Sequence, residues 1–150
     1  MAKIRKGYRG SSGTGIGFGS TEGEGLYIAR TRELAEFFAG EDGAIIEVHY
    51  EEPRKMLLVE NEPLPILEEL ELIEDPIRPF DSIWIRLNKM AYRQARVKAG
   101  NFPDFWDQDA IAHELTKLIN ARGFDGVRIT SGGGEWDVVF SPKITKTRRL

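Results

Sequence analysis

The stretch SGGGEWDVVFSP, Ser131 to Pro142, sets three glycines directly ahead of two acids that straddle a tryptophan, and then runs into apolar residues. Gly132, Gly133 and Gly134 avoid regular structure, whereas Trp136, Val138, Val139 and Phe140 favour a strand, so the stretch reads as a flexible loop handing over to a β-strand. Alternate residues of a strand share a face. Glu135 and Asp137 should therefore point one way, and Trp136, Val138 and Phe140 the other, into a core. Two readings stay open: a pair of carboxylates placed at a strand entrance beside a mobile loop as a site, or a hairpin turn with two solvated acids at a sheet edge.

Working outward, FDGVRIT reads as a strand on the other side of the glycines, and these are expected to be the last two strands. Before them, an amphipathic helix from about Asp109 to Arg122 would bury Ile111, Leu115, Leu118 and Ile119 and end at Gly123. Ser82 caps a longer helix, with Ile83, Leu87, Met90 and Ala91 on one side and Arg86, Lys89, Arg93 and Arg96 on another. Further back, AIIEVHY and KMLLVE are strands. TRELAEFFAG is a short helix with Thr31 as N-cap, Leu34, Phe37 and Phe38 on one face and Gly40 as stop. The glycine-rich start reads as a flexible loop between short strands near Ile4–Arg9 and Leu26–Ala29, and the acidic, proline-punctuated segment around ILEELELIE as a surface excursion with a short helix. Strands outnumber helices without strict alternation, which predicts an α+β fold with mostly antiparallel pairing.

Composition narrows the chemistry. The chain has 150 residues, 41% of them hydrophobic, enough for one domain spanning 1–150 with a real core. A net charge of -3 argues against a surface given over wholly to nucleic acid. The absence of cysteine removes disulfides, thiolate nucleophiles and the usual structural zinc sites. His49 and His113 share no ligand-type spacing, so no metal is expected. No apolar run is long enough to span a bilayer and the start lacks a signal-peptide core, so no membrane partner and a cytoplasmic location are expected. GTGIGFG does not follow a convincing strand or open a helix, which excludes a dinucleotide fingerprint.

Three pieces, YRGS near the start, GEGLYIARTRELAEFF soon after and GFDGVRITSGGGEWDVVFSPKIT at the end, together resemble the ADP-ribosyltransferase fold. The ending is also similar to that of transferase-like domains of phage and mobile-element proteins. The resemblance implies a split, mostly antiparallel sheet with flanking helices, NAD as substrate, no metal, and a cleft in which a carboxylate stabilises a ribosyl cation while an arginine holds the ligand. It further implies that Arg9, Gly10, Tyr27 and Ala29 bind NAD, with Tyr27 matching a tyrosine that stacks on nicotinamide. Glu135 and Asp137 would be catalytic. In one subgroup the late motif is Glu-x-Glu, which puts Asp137 at the ribose-contacting position; in another a single glutamate acts, which favours Glu135. The choice here is Glu135, with Asp137 on the same face as its partner. The family's Ser-Thr-Ser element has no clean counterpart.

The functional expectation is thus a mono-ADP-ribosyltransferase or NAD glycohydrolase acting on a protein or nucleic-acid target, its glycine loop presenting or recognising that target. The alternatives are an inactive module of the same fold, such as a virion component, and a nucleic-acid contact through Arg86, Lys89, Arg93 and Arg96 aided by Tyr92. A Ser-His-Asp hydrolase lacks a nucleophile elbow.

Overall fold

A computed structural model describes residues 3–11, 25–39, 43–60, 76–102, 104–132 and 134–150. The fold is α+β. In chain order the elements are β1 (Ile4–Ser11), β2 (Leu26–Ala29), α1 (Arg32–Ala39), β3 (Ala44–Glu51), β4 (Met56–Glu60), α2 (Ile83–Lys98), α3 (Gln108–Ala121), β5 (Gly126–Ser131), β6 (Gly134–Val139) and β7 (Ile144–Arg149). The strands form one seven-stranded sheet in the order β4-β5-β6-β2-β1-β3-β7. Among the described residues only the β4–β5 pairing is parallel. The expected flexible loop between β1 and β2, the stop at Gly40 and the excursion around ILEELELIE fall outside the described residues.

The local signals act as their chemistry dictates. Thr31 Oγ1 accepts from the Leu34 amide, Ser82 Oγ from Ile85 and Asp107 Oδ1 from Ala110, each satisfying an N–H left unpaired at a helix start. Gly123 closes α3 at φ 90°, a backbone setting that glycine reaches without strain.

The core lies on the helix-bearing face of the sheet. Leu57, Val59, Val127, Ile129, Trp136 and Val138 pack there against Trp84, Leu87 and Ala91 of α2 and Ile111, Leu115 and Ile119 of α3. Beside them, α1 seats Ala35 against Ala29 and Ile45. Among the largest fully buried side chains, only Ile28 and Val48 lie on the opposite, inner face, so the helix face supplies most of the burial energy.

The inner face is nevertheless dry at its centre: Leu26, Ile28, Val48, Tyr50 and Val139 are each no more than 3% exposed. The sheet itself covers them. β1 and β2 share one registered pair, Tyr8 with Ala29, leaving a narrow seam between the half β4-β5-β6-β2 and the half β1-β3-β7. Tyr50 of β3 and Asp137 of β6 have β1 and β2 between them, and in a flat sheet they would stand about 14 Å apart. Their side chains are hydrogen-bonded at 3.0 Å. The two halves therefore fold toward each other across the seam. Gly7 permits it: a Cβ there would sit 2.3 Å from Ile28 Cγ2.

Four sequence expectations change. FDGVRIT and EWDVVF are not the last strands, because ITKTRR forms β7 on β3; its alternating cations hid a strand exposed on both faces. Phe37 is 80% exposed, since the short α1 turns Leu34 and Ala35 to the sheet instead. The buried stripe of α2 runs through Trp84, Leu87, Asn88, Ala91, Tyr92 and Ala95, leaving Ile83 outside it. Finally, Ser131 pairs with Gly134, so β5 and β6 run up to the glycines on both sides and leave only two residues between the paired strands.

Candidate functional site

The hairpin register decides what stands beside the two acids. From Ser131↔Gly134, the pairing runs through Thr130↔Glu135 and Ile129↔Trp136 to Arg128↔Asp137. Glu135 and Asp137 share the inner face, as strand alternation requires, while Trp136 and Val138 enter the helix-face core. Arg128 lies directly across from Asp137 and holds it with two bonds, Nε to Oδ1 at 2.8 Å and Nη2 to Oδ2 at 3.2 Å. Tyr50 donates to the same Oδ2.

Glu135 sits one step toward the turn and gathers guanidiniums. Its Oε1 lies 2.7 Å from Arg30 Nη2, 3.4 Å from Arg128 Nε and 3.9 Å from Arg5 Nη2. The Arg30 amide also donates to the Glu135 carbonyl, at 2.9 Å, which fixes the β2 end against β6. Glu52 completes the group, accepting from Arg5 Nη1 at 3.0 Å and lying 3.9 Å from Arg128 Nη2. Three arginines and three carboxylates thus meet where the folded sheet brings β1, β3, β5 and β6 together. They are not equally accessible: the Asp137 side chain is 4% exposed, that of Glu135 27% and that of Arg30 half exposed.

The electrostatics follow this gradient. The hydrogen bonding that Arg128 donates to Asp137 is the main cause holding the Arg128 pKa above its ordinary value. Burial, reinforced by the Asp137 charge, pushes the Tyr50 phenol well above its usual pKa, so Tyr50 is a donor at any physiological pH. Next to the cluster an open cleft of about 1080 Å³ is lined by Glu52 and Arg128, by Val139 and Phe140, and by Lys3 and Lys143. Among the described residues no group of three or more His, Asp or Glu is placed to hold a metal ion.

The residues singled out from sequence divide between the two faces. Glu135 and Asp137 come together on the inner face. Arg9 is on that face too, since it pairs with Ile46 and keeps the parity of Arg5, about 13 Å along β1 from it. Its Nε is buried without a hydrogen bond among the described residues, and burial lowers its pKa. Tyr27 and Ala29 face the helices, where Tyr27 packs against the main core and Ala29 is 2% exposed. Gly10, with the parity of Tyr8, also lies on that side. The expectation that Arg9, Tyr27 and Glu135 face one cleft is therefore corrected for Tyr27, because β2 presents Leu26, Ile28 and Arg30 to the inner face. Asp137 is likewise no open cleft acid; Arg128 and Tyr50 seal it.

Sequence reasoning missed Arg5, Arg30, Tyr50, Glu52 and Arg128. A signal existed for Arg128: reading the glycines as a two-residue hairpin connection puts it opposite Asp137. The basic stripe of α2 also reads differently. Lys89 is buried, donating to Asp81 at 2.8 Å and to the Pro76 carbonyl, and Arg86 donates to the Pro79 carbonyl. Tyr92 is 6% exposed and donates to the Phe105 carbonyl, which removes it as a base-stacking platform. Arg93 and Arg96 are half-buried. Lys89 and Arg86 thus anchor the segment before α2.

No protein-family model matches the chain, and no curated protein matches it. Among solved structures it is similar to a crystal structure of an anti-CRISPR protein, at a TM-score of 0.39 and 15% identity, over 98% of this chain and 96% of that one. No helix of the described residues is long and apolar enough to cross a membrane.

Proposed function

We propose that the protein is a NAD-dependent mono-ADP-ribosyltransferase or NAD glycohydrolase acting in the cytoplasm, with Glu135 as its principal acid. One observation carries this reading: a partly exposed carboxylate stands on the inner face within reach of three guanidiniums, while its neighbour Asp137 is sealed. Of the two late motifs, this favours the single glutamate. Cleavage of the bond between nicotinamide and ribose develops positive charge on the ribose, and a fixed carboxylate at that position stabilises it. The pyrophosphate of NAD is a dianion suited to the forked donors of Arg30 and Arg5. Once those donors turn to phosphate, Glu135 is released toward the ribose. Nicotinamide leaves as a neutral base, and water or a nucleophile of the target bonds to the anomeric carbon and loses its proton.

The test is release of nicotinamide from labelled NAD, with and without a cell lysate as a source of target. Glu135→Gln should lower release on the order of a hundredfold, and Arg30→Ala should raise KM more than it lowers kcat. Wild-type release from Glu135→Gln would sink the assignment. A second reading, a non-catalytic module of the same fold, is favoured by Tyr27, which faces the helices and leaves the Glu135 side without the stacking tyrosine. Thermal stabilisation by millimolar NAD without any nicotinamide release would select it.

A further inference from the structure

The outer face of the half β1-β3-β7 gathers cations around one buried acid, Glu47. Lys6 is registered opposite His49, and His49 opposite Lys146, which sets two lysines on either side of a histidine in one row across three strands. One acid serves this row and Arg148 together: Glu47 lies 3.7 Å from Lys6 Nζ, 3.7 Å from His49 Nε2 and 3.0 Å from Arg148 Nε. Every residue of β7 is exposed, and among the described residues no strand pairs with its outer edge. In a chain of net charge -3, the segments 3–11, 43–52 and 143–150 hold eight Lys or Arg against three Glu.

We propose that the free edge of β7 is a docking site for an acidic, extended segment of a partner protein, which adds to the sheet as an eighth strand. An edge strand offers unpaired N–H and C=O groups that another strand satisfies. Lys146 and Arg148 recur at a spacing of two, so they share a face and meet acids placed at alternate positions of an added strand. The same cations repel a second copy of β7, which directs the edge toward an acidic strand and away from self-pairing. A strand fits better than nucleic acid, because β7, with the sequence ITKTRR, has no aromatic side chain on which a base could stack. The proposal does not depend on the chemistry at Glu135.

The experiment titrates the intact protein with a synthetic peptide carrying glutamate at alternate positions between threonine and valine. The comparison probes are an isomer with contiguous glutamates and a short oligothymidylate, all at one ionic strength, with hydrogen exchange of the β7 amides as a second readout. The alternating peptide should bind several-fold more tightly than its isomer and protect the β7 amides. Lys146→Glu, which leaves the Arg148–Glu47 pair in place, should weaken it roughly tenfold, the effect of replacing an attraction by a repulsion, and Lys146→Arg should restore it. Absence of peptide binding, equal affinity for the two isomers, unchanged β7 protection, or tighter binding of oligothymidylate would each overturn the proposal. The thermal midpoint of Lys146→Glu shows that any loss of binding comes from a folded protein.

Discussion

Strand β6 shows two different ways of being buried within a few residues. On the helix side, Trp136 and Val138 join a cluster filled by α2 and α3, where apolar shapes meet and no charge is involved. On the inner side, Glu135 and Asp137 are enclosed by the fold of the sheet itself, through contacts to Arg128 and Arg30 from the neighbouring strands and to Arg5 and Tyr50 across intervening strands. The first kind of burial tolerates substitution in proportion to volume. The second depends on partners, because a charge left alone in that setting costs more than the pair contributes.

The contrast breaks most visibly at the two extremes. Trp84 is 1% exposed in the helix-face core, and Trp84→Ala should cost about 3–5 kcal/mol, read from chemical denaturation. Asp137→Ala leaves Arg128 facing the inner side without its bidentate partner. The expected cost is about 2–3 kcal/mol, below that of a fully buried orphan because solvent reaches the guanidinium. Asp137→Asn keeps an acceptor for Tyr50 and should cost less. A loss from Asp137→Ala as small as that of an exposed acid would mean that the inner face is not closed in solution.

Tyr50 gives a smaller effect with a characteristic pH dependence. Tyr50→Phe removes one hydrogen bond to Asp137 and should cost about 1 kcal/mol at neutral pH. Its pKa is raised in the folded protein, chiefly by burial, whereas in the unfolded chain it ionises near 10. Below that pH its contribution is present in full. Above it, the unfolded state binds fewer protons than the native one, so stability falls as pH rises, by about 1.4 kcal/mol per pH unit for this group. Denaturation midpoints of wild type and Tyr50→Phe should therefore converge and then cross in alkaline solution; parallel curves would show that the phenol is not held by the fold.

What could be seen in the sequence follows the same division. The helix face was legible because its rules are local: Ser82 and Thr31 cap helices, Leu115 and Ile119 follow the helical period, and Val138 alternates with Asp137. Phe37 shows the limit, since a helix of eight residues buries too narrow an arc for periodicity alone to select. The shared face of Glu135 and Asp137 was legible from strand alternation, and Arg128 would have followed from the hairpin register. Arg5, Tyr50 and Glu52 were not legible, because they reach the site only through a bend at a seam with one registered pair, made possible by the missing side chain of Gly7. Tyr27 was drawn to the cleft by resemblance, against the parity that β2 and β6 impose. β7 was missed because a fully exposed strand buries no stripe for a pattern to reveal.

The smallest expected change in stability belongs to the residue on which the functional reading rests. Glu135 is partly exposed, and each guanidinium near it has another route to charge balance: Arg128 keeps Asp137, Arg5 keeps Glu52, and Arg30 is half open to water. Glu135→Gln preserves shape and hydrogen-bonding capacity, so it should shift stability by less than about 1 kcal/mol. If Glu135 is there to stabilise a developing cation, the same change removes its charge and release of nicotinamide falls on the order of a hundredfold. Asp137→Asn should show the inverse profile, losing more stability and proportionately less activity once measured well below its melting temperature. Matched losses of stability and activity in both variants would mean that the cluster is a structural clamp across the seam, whereas a large activity loss confined to Glu135→Gln separates the acid that acts from the acid that holds the sheet closed.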